Sequence, residues 1–331
     1  QGASSPTARQ MRPFLVLAAG LSTVHSFSPN TPPTSCSVRG HAHPHLLGSP
    51  RAPGGVTSLL GLPRDEDGVP TEPVRAPRPK RSDMKSKFGG TKPRRRSSQG
   101  KALEAGMNNP SRLRVMSGSA KGRLLDSPQV QLRPMMGKVK EALFSTLTGF
   151  GVYEDGREIR HLDLYAGSGS VGVESLSRGA KEAAFVDFAK ECCEVAEKNA
   201  QWCGFDGSLE AGGRKGVGVC GDVLAVLRDP KGFGLEGTFD LVSATPPYEE
   251  ISYSDLVASL SESSLVAEDT IVIIEYPIEI GTLPPVLGSR SKLVGVRNRR
   301  YGRTVIGIYV CNPTGKWNLD VKTEEFIDLR K

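Results

Sequence analysis

The chain has 331 residues, length enough for two average domains, and carries 43 Lys and Arg against 36 Asp and Glu, a net +7. Through position 111 the balance is 16 basic to 6 acidic residues, and beyond it 27 to 30, so the excess belongs to the N-terminal part and says nothing about the folded domain. No apolar run is long enough to span a bilayer, and Cys192, Cys193, Cys203, Cys220 and Cys311 lack CxxC or disulfide-framework spacing, which argues against a secreted scaffold and leaves no metal site to expect.

Residues 1–64 read as a targeting segment. Met11-Arg12-Pro13 precedes the apolar core Phe14 to Leu21, and Val24-His25-Ser26 with Phe27 after it offers a small-residue cleavage site. The stretch beyond Phe27 is rich in Ser, Pro and Arg, with no acid before Asp65, as transit peptides are. A signal core joined to a transit-like stretch resembles the two-part presequences of algal plastids inside extra membranes. The expected destination is the plastid stroma, with the mitochondrion as alternative and no membrane association in the mature form. An ordinary secretory signal is the competing reading, and a reduced compartment suits the cysteines better.

Residues 65–110 read as a disordered basic linker, with "RAPRPKRSDMKSKFGGTKPRRRSSQGK" lacking apolar periodicity; it serves as a spacer or as a weak RNA contact. Residues 111–150 form an extension and a first helix. Arg112 to Met116 alternates like an edge strand, Gly118 to Gly122 turns it, and from Lys138 the apolar positions Val139, Ala142, Leu143, Phe144 and Leu147 follow helical spacing. Over 151–315 strands and helices alternate. Strands are expected at Ile159–Tyr165, Ala183–Asp187, Val217–Cys220, Phe239–Ala244 and Thr270–Tyr276, and helices at Val171–Ser177, Glu191–Cys203 and Tyr253–Leu260. A closing hairpin pairs Lys292–Val296 with Thr304–Cys311 around the basic turn "RNRRYGR". Residues 316–331 are left as a C-terminal tail. Alternating βαβα predicts an α/β, doubly wound sheet with a terminal antiparallel hairpin.

Four strand ends carry the chemistry. Gly167, Gly169 and Gly172 in "HLDLYAGSGSVGVESL" satisfy G-x-G-x-x-G between a strand and a helix, which lets a ligand approach the backbone and the helix amides. NAD fits that motif as well. Asp163, four residues before the first glycine, favours a ligand with a positively charged amino-acid moiety, as in S-adenosylmethionine. Asp187 in "AAFVDF" suits ribose hydroxyls, Phe188 the adenine face, and Asp222 in "GVCGDV" the adenine amino group; each acid has a plain alternative as a helix cap. The fourth strand ends in Thr245-Pro246-Pro247-Tyr248. Two prolines stop the ladder and leave carbonyls to accept from an amino group, and the tyrosine offers a stacking face, so the four residues read as a clamp for a flipped base.

The ordered set "RVMSGSAKGRLL", "LRPMMGKVKEALFSTL", "DLYAGSGSVGVESLSRGA", "FVDF", "TPPY" and "RRYGRTVIGIYV", from about Arg112 to Val310, resembles the RsmD-type methyltransferases, which methylate guanine N2 of small-subunit (16S) rRNA. The resemblance implies a class I methyltransferase sheet of seven strands, an N-terminal β extension that grips RNA, and S-adenosylmethionine as cofactor. It places Asp163, Tyr165, Gly167, Gly169, Asp187, Phe188 and Asp222 at the cofactor, and Thr245, Pro246, Pro247 and Tyr248 at the base. The implied partner is small-subunit rRNA or an assembling small subunit, met by a monomer. Arg114, Lys121, Arg123, Arg133, Lys138, Arg297, Arg299 and Arg300 are the candidate phosphate contacts. Two positions depart from the family: Thr245 stands where it has Asp or Asn, and Arg133-Pro134-Met135-Met136-Gly137-Lys138 where it has Arg-Pro-Thr-Thr-Asp-Arg. The first also admits a non-catalytic ribosome-assembly factor; an amino-group methyltransferase acting on another nucleic acid is the other alternative.

Overall fold

The strands run almost wholly apolar, and a strand buried on both faces needs helices on both sides of its sheet. The computed structural model, which describes residues 62–74, 113–130, 132–208 and 212–327, has that architecture. Its elements are α1 (Gly137–Gly149), β1 (Arg160–Leu164), α2 (Ser170–Arg178), β2 (Glu182–Asp187), α3 (Lys190–Trp202), β3 (Lys215–Cys220), α4 (Val223–Arg228), β4 (Leu241–Ala244), α5 (Tyr253–Glu262), β5 (Ile271–Pro277), β6 (Val286–Leu287), β7 (Leu293–Tyr301) and β8 (Thr304–Cys311). The sheet order is β3-β2-β1-β4-β5-β8-β7-β6, with β1 to β5 parallel and β8, β7 and β6 joined antiparallel. This is the class I methyltransferase fold, with eight strands rather than the seven expected because the short β6 adds to the edge.

Side-chain alternation divides the interior into two cores. Leu162, Leu164, Val186, Val242, Ile274 and Tyr309 face α4 and α5. Ala183, Phe185, Leu241, Ile273 and Ile308 face α1, α2 and α3. His161, Asp163 and Ser243 lie on that second side as fully buried polar residues.

Four boundaries differ from the sequence reading. Residues 65–74 are not linker: with 62–64 they form a clasp in which Arg64 bridges to Pro70 and Val69 is fully buried in the core. Asp65 accepts from the Val69 amide at 2.8 Å and from the Ser254 hydroxyl, and the Ser254 amide donates to Pro70 at 3.1 Å. The remainder of the expected targeting segment and linker lies outside the described residues. Nor is 316–327 a loose tail. Trp317 is buried, its indole N–H donates to Asp269, and Phe326 packs on Tyr309. The basic turn is largely strand: β7 runs through Arg297 to Tyr301 past a bulge between Gly295 and Arg297. The expected edge strand at 112–116 reduces to a single bridge, Arg114 to Leu124.

Candidate functional site

Pairing in register brings four strand ends level. Leu164 of β1 lies beside Val186 of β2 and Ala244 of β4, and Asp187 lies beside Cys220. Immediately past Leu164 the backbone of Tyr165 turns left-handed (φ 58°), a conformation rare for a non-glycine residue, and throws the chain into the glycine turn. Gly169, at φ 71°, caps α2; a Cβ there would sit 2.6 Å from that of Ala196, so only glycine lets α2 pack on α3.

Asp163 has partners within the chain. It is fully buried, accepting from the Ser243 hydroxyl at 2.7 Å and the Gly172 amide at 2.9 Å. The carboxylate braces the glycine turn from below. Burial pushes it up to about 7, against the downward pull of those two hydrogen bonds. Ser243 also meets His161 Nε2 at 2.9 Å, and burial holds that imidazole down to about 3, hence neutral. Because Ser243 gives its proton to Asp163, His161 donates from Nε2, and its Nδ1 is buried without a partner.

Asp187, half-buried, accepts from the Gly167 amide and the Ala189 amide, both at 2.9 Å. Two amides fix the carboxylate at the strand end, and each oxygen keeps a further lone pair, the acceptor set a vicinal diol requires. Phe188 beside it is 81% exposed, an open stacking face. Asp222 caps α4 through the Ala225 amide at 2.9 Å, the plain reading of that acid. Its charge lies near Tyr165, whose phenol is held above its usual range by burial first and by Asp222 second. Leu132 covers the turn: a Cβ on Gly167 would meet it at 3.2 Å. A glycine floor, a fixed carboxylate and an exposed aromatic on one edge fit S-adenosylmethionine, and Asp187 and Phe188 are the residues that could hold its ribose and its adenine.

The clamp stands one strand away. The Thr245 amide donates to Leu164 at 3.3 Å and its hydroxyl to the Tyr165 carbonyl at 3.4 Å, tying it to the glycine turn. Pro246 is buried and Pro247 exposed. The two carbonyls expected to stay unpaired differ. Pro247's oxygen accepts from the Glu250 amide at 3.3 Å, whereas among the described residues Pro246's accepts none. Tyr248 is oriented by residues the sequence did not point out. Its hydroxyl donates to Glu275 at 2.6 Å and lies 2.9 Å from that of Thr304, while the Arg133 guanidinium sits 4.8 Å from the ring centroid. Burial raises Glu275, opposed by the Tyr248 hydrogen bond. A lone acid inside "TIVIIEY" was the available signal for it.

The candidate RNA residues separate into two groups. Arg114, Lys121, Arg123, Arg133 and Lys138 are exposed. Arg297 is buried, 3.0 Å from Asp320 and 3.1 Å from Glu325, and is not available to a phosphate. Arg299 pairs with Glu325 at 3.3 Å, and Arg300, exposed, donates to the Gly302 carbonyl at 2.9 Å. The acids that hold Arg297 and Arg299 lie in the C-terminal segment, which the sequence reading leaves as tail.

Among known proteins, residues 113–310 match the family model described as "Conserved hypothetical protein 95". The chain belongs to that family. YlbH of Bacillus subtilis (strain 168), named provisionally as an rRNA methyltransferase, is 34% identical over 200 residues, 60% of this chain and 98% of the relative. Ribosomal RNA small subunit methyltransferase D of Escherichia coli (strain K12) is 28% identical over 202 residues, 59% of this chain and 92% of that protein. A solved structure from Thermus thermophilus is 27% identical with a TM-score of 0.45, covering 59% of this chain and 97% of that one. The clasp at 62–74 and the segment after 310 lie outside the family match.

Proposed function

We propose that this protein methylates guanine N2 in small-subunit (16S-type) rRNA of an organelle, the plastid by its presequence, acting as a monomer. Family membership and the names of its relatives support rRNA as substrate. The observation that carries the reading is the clamp's attachment to the glycine turn: Thr245 bonds to both Leu164 and Tyr165, so a base held there meets the cofactor edge.

S-adenosylmethionine supplies an electrophilic methyl group when bound. The residues of this chain do the rest. Guanine N2 is a weak nucleophile because its lone pair is delocalised into the ring, so acceptors must draw on its N–H groups as the bond forms. Pro246's carbonyl is open for one N–H. The Thr245 hydroxyl, donating to Tyr165, keeps lone pairs for the other. Both are neutral acceptors, about half as strong as the charge-assisted bond of a carboxylate, so transfer is expected to be slow. Tyr248, its hydroxyl fixed by Glu275 and Thr304, holds the base plane.

Single-turnover methyl transfer to small-subunit rRNA, with mass-spectrometric mapping of the modified nucleotide, tests this. Thr245→Ala and Tyr248→Ala should slow transfer while cofactor binding persists, and Thr245→Asp should speed it. Methylation at a position other than guanine N2 would overturn the specificity. Thr245 in place of Asp or Asn favours one second reading, a ribosome-assembly factor that kept the fold without the reaction. No transfer by the wild type on any assembly intermediate, with transfer restored by Thr245→Asp, would establish it.

A further inference from the structure

An exposed tryptophan stands away from the clamp, with an arginine bonded to its backbone carbonyl. Residues 123–130 run antiparallel to α3: Arg123 donates to the Trp202 carbonyl, the Asp126 amide to Asn199 at 2.9 Å, and the Gln129 amide to Glu191 at 2.6 Å. Farther on, Leu132 lies over Gly167 and Arg133 over Tyr248. One stretch of chain therefore leads from Trp202 to the clamp, and Trp202 stands about 16 Å along α3 from Glu191.

Trp202 is 65% exposed and Leu124 49%, whereas the chain's other tryptophan, Trp317, is buried. Packing therefore does not account for the Trp202 ring. Lys121 and Arg123 are exposed, with no acid between Arg112 and Lys121 or between Arg123 and Leu125. The acids that approach are already engaged: Asp126 pairs with Lys198 at 2.8 Å, and Glu191 takes the Gln129 amide.

We propose that Trp202, with Arg123 anchored on its backbone carbonyl, is a stacking platform for an unpaired base of the RNA strand whose target guanine enters the clamp. The inference rests on the RNA-methyltransferase reading and adds a contact to it. A guanidinium anchored on the backbone of a residue whose ring is exposed offers one phosphate contact and one stacked base on the same stretch of surface, the combination by which proteins hold single strands without reading sequence. The charge complementarity favours RNA over a peptide partner, which would require more apolar surface than Trp202 and Leu124 provide.

The test uses the full chain and polyuridine RNA. Because Trp317 is buried, quenching of the intrinsic fluorescence on titration reports Trp202. Quenching is expected in the wild type and lost in Trp202→Ala, whose affinity falls about tenfold, while Trp202→Phe keeps most of it. With small-subunit rRNA the alanine variant should raise KM about tenfold, an effect exceeding any on kcat. Equal RNA affinity and equal KM for wild type and Trp202→Ala would overturn the platform, even with methyl transfer intact. Wild type that shows the quenching but transfers no methyl group would overturn the enzymatic reading and support the platform.

Discussion

One glutamate pins the N-terminal extension and another pins strand β7, and they differ in which basic side chains they take up. Glu174, fully buried in α2, accepts the amides of Met116 at 2.7 Å and Ser117 at 3.0 Å, with Arg178 at 2.9 Å and Lys140 at 3.6 Å balancing its charge. It grips backbone, so the extension's own basic side chains point to solvent. Glu325 takes the run's own side chains as well: Arg297 and Arg299 both turn to it, beside the Asn298 backbone amide at 2.9 Å. Two similar runs of basic residues therefore have different electrostatics. One leaves its basic side chains exposed; the other uses Arg297 and Arg299 to hold the C-terminal segment. Burial lowers Lys140 below its ordinary value, offset by Glu174, which marks that pair as structural rather than RNA-binding.

The largest effect should come from breaking the first anchor. Glu174→Ala leaves Lys140 buried without its carboxylate and frees two amides, a loss of about 3–5 kcal/mol in denaturant unfolding. Hydrogen exchange should show 113–125 released first; a loss below about 1 kcal/mol would mean that the extension is held by its apolar contacts instead.

Glu325→Ala comes next, at about 2–3 kcal/mol, since Arg297 keeps Asp320. RNA affinity should not fall in this variant. A fall matching that of an extension variant would erase the distinction between the two regions.

Arg133→Ala sharpens it from the other side. Stability should be nearly unchanged, while the slope of log affinity against log salt for small-subunit RNA drops by about 0.7–0.9, one phosphate contact. An unchanged slope would confine Arg133 to steadying Tyr248.

The smallest effect is expected from Arg299→Ala. Its side chain is about half exposed, so losing the Glu325 pair should cost under about 1 kcal/mol, with the RNA salt slope unaltered.

Much of the site was written in local pattern. Periodicity, the glycine turn at 167–172 and the acids at strand ends mark β1 to β5 and the cofactor edge, because burial on both faces and tight turns restrict residue type locally. Thr245 to Tyr248 were legible for the same reason: consecutive prolines announce where a strand must stop.

What tertiary structure alone decided is which polar groups meet. Asp163 also braces the turn, which the sequence does not announce, because Ser243, eighty residues on, lies on the neighbouring strand. Tyr248 is set by Glu275 and Thr304, and Arg297 is neutralised by Asp320 and Glu325, partners brought together only when the sheet forms. The clasp at 62–74 shows the same limit, since Val69 is one apolar residue in a polar stretch until the core around α5 and β5 gives it a place. Sequence fixes what each residue offers over a turn or a strand. The charge that a residue retains for RNA depends on contacts between segments far apart in the chain, and these exist only in the folded protein.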